Sequence, residues 1–158
     1  MFLTCAVLSI FIYLFPACAP VVDSPADRQL RDQVNQLISE LERAFETENT
    51  SGVMRTIHSD YSPSRSELRS NLRAVFRQFN LHDLDFHTLD FSRANDEINL
   101  ELEWNLRWRD TDAGETERRR GRTTFRLRPG EDDTLQIISQ RGDRLLGEKD
   151  PGEVSHRE

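Results

Sequence analysis

Between Ile98 and Trp108 the chain alternates without a fault. Ile98, Leu100, Leu102, Trp104, Leu106 and Trp108 are apolar, while Asn99, Glu101, Glu103, Asn105 and Arg107 between them are polar. Successive side chains of an extended strand point to opposite faces, so this stretch reads as a long strand with one greasy and one wet face. Such a strand needs paired neighbours and an apolar layer to cover it. The rest of the chain must supply both.

The covering layer comes first in the sequence. Ser24-Pro25-Ala26-Asp27 reads as a helix start, with Ser to cap, Pro for the first turn and Asp for the positive helix end. Leu30, Val34, Leu37, Ile38, Leu41, Ala44 and Phe45 then paint one helical stripe, which ends near Glu46 to Asn49. A shorter helix is expected over Thr50 to His58, with Val53, Met54 and Ile57 inward. Ser59-Asp60-Tyr61-Ser62-Pro63 breaks it. A third helix starts at Ser64, where Glu67 completes a capping box. Leu68, Leu72, Val75, Phe76 and Phe79 form its buried face, and Asn80 stops it.

The paired neighbours follow. Leu84 and Phe86, then Leu89 and Phe91, mark a strand over Asp83 to Phe91 whose apolar parity switches, so a bulge or bend is expected near His87-Thr88. After a turn at Asp110 to Gly114, Thr116 to Arg128 returns with Thr123, Phe125 and Leu127 inward and Arg118, Arg120, Arg122, Arg126 and Arg128 outward. A last strand, Thr134 to Gln140, follows Pro129-Gly130. A hairpin centred on Asp112 sets Glu101 and Glu103 opposite or diagonal to Arg122 and Arg126. Each such cross-strand pair contributes about 0.2–1 kcal/mol. The run Arg118-Arg119-Arg120-Gly121-Arg122 therefore reads as a solvated, acid-paired sheet face. Strict alternation points Arg119 inward, into a cavity unless a bulge near Gly121 releases it.

Charge and cysteine usage narrow the function. With 28 acids against 21 bases the formal net charge is −7, which excludes nucleic acid as a partner on electrostatic grounds. Both cysteines, Cys5 and Cys18, precede the folded part, which can form neither a disulfide nor a thiolate metal site. Asp83, Asp85 and His87 share a strand face beside His82, but no further ligand joins them, so no metal is expected. His156 lies in the tail. No Gly-rich phosphate loop, Gly-x-Ser-x-Gly or His-Glu-x-x-His occurs, and no cofactor is expected.

Met1 to Cys18 carries no Asp, Glu, Lys, Arg or His and reads as an export signal. Its end, Leu14-Phe15-Pro16-Ala17-Cys18, resembles the lipobox of bacterial lipoproteins. The resemblance implies a signal peptide over residues 1–17, a lipid on Cys18 that anchors the chain to a membrane, and a tether over 18–25. It places the protein in the cell envelope, on the periplasmic side of the outer membrane where the host has two membranes, since Ala19 lacks the inner-membrane retention signal. Two other readings stand beside it: cleavage after Ala19, which leaves Pro20 as N-terminus, and an uncleaved anchor of near-minimal length.

Three N-terminal helices followed by a long, bent antiparallel sheet of about four strands resemble the nuclear-transport-factor-2-like fold, an α+β cone. The resemblance covers residues 26–147 and leaves a tail over 148–158. It is carried by Leu41-Glu42-Arg43-Ala44-Phe45-Glu46 with Asp60-Tyr61 further on, by Gly121-Arg122-Thr123-Thr124-Phe125-Arg126-Leu127, and by Leu135-Gln136-Ile137-Ile138 before Gly142-Asp143. It implies a pocket at the open end of the cone, with Phe45, Trp104, Trp108, Arg119 and Phe125 as candidate lining, although core is the ordinary place for such aromatics. It also implies two kinds of function. One is non-enzymatic binding of a small apolar ligand or a protein partner. The other is an isomerase or hydrolase using Asp60 as base and Tyr61 as proton donor beside His58, residues that serve equally well as an ordinary turn. A homodimer through the sheet face is a third expectation. The lipid is the first to test: intact-mass analysis of protein made with its own leader is expected to show a diacylglyceryl adduct on Cys18, and a retained Met1 or a free Pro20 would exclude it.

Overall fold

The computed structural model describes residues 25–110 and 114–146. The leader, Cys18, the tether up to Ser24, the centre of the Asp112 turn and the tail with His156 lie outside these residues. Helix α1 (Pro25–Glu46) is followed by α2 (Thr50–Arg55) and α3 (Arg65–Gln78). Four strands then form one antiparallel sheet in sequence order: β1 (Phe79–Ala94), β2 (Glu97–Asp110), β3 (Thr116–Pro129) and β4 (Leu135–Gly142).

All seven stripe residues of α1, from Leu30 to Phe45, are buried, and so are all six apolar positions of β2. Phe125 and Leu127 of β3 and Ile137 of β4 join them with no exposed surface. Burial of a large apolar side chain stabilises by about 1.5–3 kcal/mol, so this shared core dominates the energetics. The register of β2 on β3 runs from Ile98 opposite Leu127 to Arg109 opposite Thr116, which confirms a hairpin centred beside Asp112. Between β1 and β2 the chain reverses in two residues, where Asn95 takes the left-handed conformation (φ 58°) that asparagine tolerates.

Two expectations need correction. Helix α2 ends at Arg55, where Thr56 turns its amide and hydroxyl back to the Val53 carbonyl. The chain then runs beside β4, with Ile57 bridged in parallel to Ile137. Ile137 N donates to Thr56 O (2.8 Å), His58 N to Ile137 O (3.0 Å) and Ser62 N to Ile138 O (2.9 Å). The open hydrogen-bonding edge of β4 competes for these residues and wins. Phe79, expected on α3, is instead the first residue of β1: its backbone is extended (φ −124°, ψ 134°), so helix passes into strand without a loop. The bulge expected near His87-Thr88 is present: the register slips between Thr88 and Asp90, with Leu89 as the extra residue. Leu89 is consequently 37% exposed while Phe91 packs against the core. The register also sets Glu103 opposite Arg122 and Glu101 opposite Thr124, diagonal to both Arg122 and Arg126, as expected, while Arg126 forms its ion pair with Glu97. Ser64 behaves as expected, its hydroxyl accepting from Glu67 N (3.2 Å).

Gly121 is required by close packing. It lies opposite Trp104, and a Cβ there would stand 2.3 Å from the indole Cζ2. The indole fills that space, with the Arg119 guanidinium 5.8 Å from the ring centroid. A Gly121→Ala variant is expected to lose about 1–3 kcal/mol, the ordinary cost of overpacking, read as a lower urea midpoint with an unchanged slope. An unchanged midpoint would show that Trp104 moves freely.

Candidate functional site

The loop with the sequence candidates His58, Asp60 and Tyr61 is held by the same hydrogen bonds that fasten residues 56–62 to β4. The Asp60 amide donates to His58 Nδ1 (3.0 Å), which makes that nitrogen an acceptor. The Asp60 carboxylate stands 3.8 Å from the same nitrogen and 3.4 Å from Arg128 Nη1, and its side chain is 67% exposed. Tyr61 is buried, and burial pushes its phenol above the ordinary tyrosine pKa, with Arg144 pulling back less strongly. The three residues are adjacent but face different surroundings: one carboxylate in solvent against an arginine, one phenol in the core. That arrangement organises a turn.

The five candidates for pocket lining also separate. Phe45, Trp104, Trp108 and Phe125 are at most 3% exposed and belong to one continuous apolar core. Phe45 meets Phe76 of α3 edge-on at 5.7 Å between ring centroids. These four aromatics are core residues, and Trp104 also lines the cavity described next. Arg119 does point to the inner side, as strict alternation requires, but it lies over Trp104. The Trp104 indole Nε1 is buried without a hydrogen-bond partner.

A cavity of about 540 Å³ opens on the other side of the sheet. Phe86, Trp104 and Gly121, a row of directly opposed residues on β1, β2 and β3, form its floor. Asp85, His87 and Glu103 stand along one side, Arg120 and Arg122 along the other. A smaller cavity of about 190 Å³, with Asp83, Arg107 and Arg118 in its lining, shares Asp85, Asn105 and Arg120 with the first. Ion pairs brace this face. Arg122 reaches Glu103 at 3.0 Å and Glu101 at 3.7 Å, and Arg107 reaches Asp83 at 3.3 Å. Arg120 Nε donates to Asn105 Oδ1 at 3.1 Å. Further along, Glu97 accepts from both Arg126 and Arg128, and Arg128 connects onward to Asp60. Among the described residues no three His, Cys, Asp or Glu side chains converge to hold a metal ion.

Glu42 escapes a reading of the sequence, which places it on the polar side of α1. Its Oε1 accepts from Phe86 N (3.0 Å) on the outer edge of β1. Burial raises its pKa, the Phe86 amide lowers it, and Asp85, Glu46 and Asp83 raise it further. No sequence signal marks it, since only the packing of β1 on α1 brings the carboxylate to that amide.

No family model matches this chain, and neither does any curated protein. Solved structures do. A nuclear transport factor 2 (NTF2-like) superfamily protein from Salmonella enterica superposes with a TM-score of 0.62 at 9% identity, over 83% of this chain and 99% of that one. A ketosteroid isomerase-like protein from Erwinia carotovora gives 0.59 at 14% identity, over 69% and 91%. A conserved protein from Planctomyces limnophilus gives 0.64 at 6% identity, over 72% and 94%. Likeness at such low identity establishes the fold: α+β, nuclear-transport-factor-2-like.

Glu42 and Glu97 should shift stability with pH in opposite directions. The raised folded-state pKa of Glu42 means that its contribution is full below the unfolded value and is lost as pH rises through the folded one. For Glu97 the hydrogen bonds from Arg126 and Arg128 lower the folded-state pKa, so its contribution is present above the unfolded value and lost as pH falls through the folded one. Urea midpoints measured between about pH 3 and pH 7 should show Glu42→Gln gaining on the parent as pH rises above the ordinary glutamate value. Glu97→Gln should fall behind the parent as pH rises toward that value from below. A variant curve that runs parallel to the parent's through its own window contradicts the assignment of that residue.

Proposed function

We propose that this chain is a non-enzymatic binding domain of an envelope lipoprotein, and that it docks a protein partner on the outer face of its sheet. The observation that carries this reading is the division of space. The inner face is closed by Leu100, Leu102, Phe125 and Leu127, none of which has exposed surface, whereas the outer face holds a polar cavity of about 540 Å³. A small apolar ligand would have to displace core side chains. Turnover by Asp60 and Tyr61 finds no support either: the carboxylate is engaged with Arg128 and the phenol is buried. The anchoring half of the proposal rests on the charge-free stretch before Cys18.

A second copy of the chain is one partner with the right chemistry. Acidic groups lie on the β1 side of the cavity and arginines on the β3 side. A two-fold axis lying along β2 in the plane of contact lays the β1 side of one copy over the β3 side of the other, so each acidic flank meets a basic one. A self-complementary patch of this kind is what a two-fold contact demands.

The test is a photo-crosslinking amino acid at position 105, in the cavity wall, with position 28 on α1 as control, in cells making the full chain. A discrete adduct from position 105 and none from position 28 is expected. A mass of twice the chain identifies the second copy, and any other mass another protein. Arg122→Glu should abolish the adduct, and adding Glu103→Arg should restore a self-adduct. Absence of an adduct at 105 would sink the outer face as docking surface.

A further inference from the structure

We infer that a second, separate site exists on the helical side: an arginine-lined groove that binds a phosphate group. The groove has a volume of about 590 Å³ and lies between α2, α3 and the start of β4. Arg65, Arg69 and Arg73 line it at a spacing of four residues, which stacks three guanidinium groups along one face of α3. Arg55, at the end of α2, joins them from across the groove. Like charges at that spacing repel one another, and a bound anion relieves the repulsion.

The hold on Arg65 and the balance of charge in the lining define the groove. The Arg65 guanidinium is already held, with Nη2 donating to the Met54 carbonyl at 3.1 Å. Its Nε is nevertheless buried and has no hydrogen-bond partner. The two acids in the lining, Glu40 and Asp132, are outnumbered by the four arginines, and Glu40 already accepts from Gln36 at 2.9 Å. The groove is therefore locally basic on a chain of net charge −7.

The geometry selects the chemical class. A carboxylate offers two coplanar oxygens and is satisfied by one forked guanidinium. A phosphate offers three or four oxygens in different directions and more negative charge, which suits several guanidinium groups converging from two helices. The phosphate could be a free anion or the headgroup of an acidic phospholipid, and the experiment separates the two.

Inorganic phosphate titrated calorimetrically into the detergent-solubilised full chain, against chloride at matched ionic strength, is expected to give saturable heat. Arg69 and Arg73 are exposed, so Arg69→Gln and Arg73→Gln should fold normally and weaken binding by about tenfold each, the effect of losing a charged hydrogen-bond donor. Arg28→Gln, on the exposed side of α1, should bind as the parent does. In parallel, native mass spectrometry with phosphatidylglycerol and with phosphatidylcholine reads the source. Preferential retention of phosphatidylglycerol, lost in Arg69→Gln, assigns the lipid headgroup. Phosphate binding with equal retention of both lipids assigns the free anion. The site is overturned if neither phosphate heat nor phosphatidylglycerol preference appears, or if Arg28→Gln weakens either as much as Arg69→Gln does.

Discussion

The apolar core shared by the inner face of β2 and the stripe of α1 carries this fold. Six inward residues of one strand and seven of one helix disappear from solvent together. At about 1.5–3 kcal/mol for each large side chain, this core outweighs the exposed ion pairs on the far side of the sheet, where about 0–1 kcal/mol each is usual. The two faces of the sheet therefore have different freedoms. Substitutions inside disturb the whole domain. Those outside leave the scaffold standing, so the outer face can be shaped for recognition.

The same core is filled in part by aromatic side chains. Trp104 and Trp108 are the largest residues on β2, and both turn inward. Trp104 reaches across to Gly121, where the missing Cβ makes room for the indole, and Arg119 covers the ring. In a cone of this kind, one tryptophan opposite one glycine converts open volume into core. The unpartnered indole N–H is the residue of that exchange: the ring packs well, and its one polar atom is left behind.

Much of this was legible in the residues, and the exceptions are instructive. The α1 stripe, the β2 alternation and the Ser64 cap follow from local geometry, which a sequence states directly. The parity break in β1 announced a bulge, but choosing Leu89 as the extra residue took the pairing with β2. Residues 56–58 continue the pattern of α2 and leave it only because the edge of β4 offers better hydrogen bonds. Glu97 sits beside a turn and looks unremarkable until the β2–β3 register brings Arg126 and Arg128 to it. Of the candidate site residues, Arg119 and the aromatics were placed on the correct face. Whether that face encloses a pocket is a question of volume, which hydrophobic periodicity does not encode. Glu42 and the groove on α3 were missed for a related reason, because both arise from elements distant in sequence.

The segment from Thr56 to Ser62 has a consequence for how copies of this chain can meet. It occupies the free margin of β4, while at the opposite margin Glu42 takes the Phe86 amide and two irregularities interrupt β1. Strand-to-strand growth, the route by which sheets propagate into fibrils, is thereby obstructed at both ends. Copies of this chain that meet must then do so through surfaces other than the margins of the sheet.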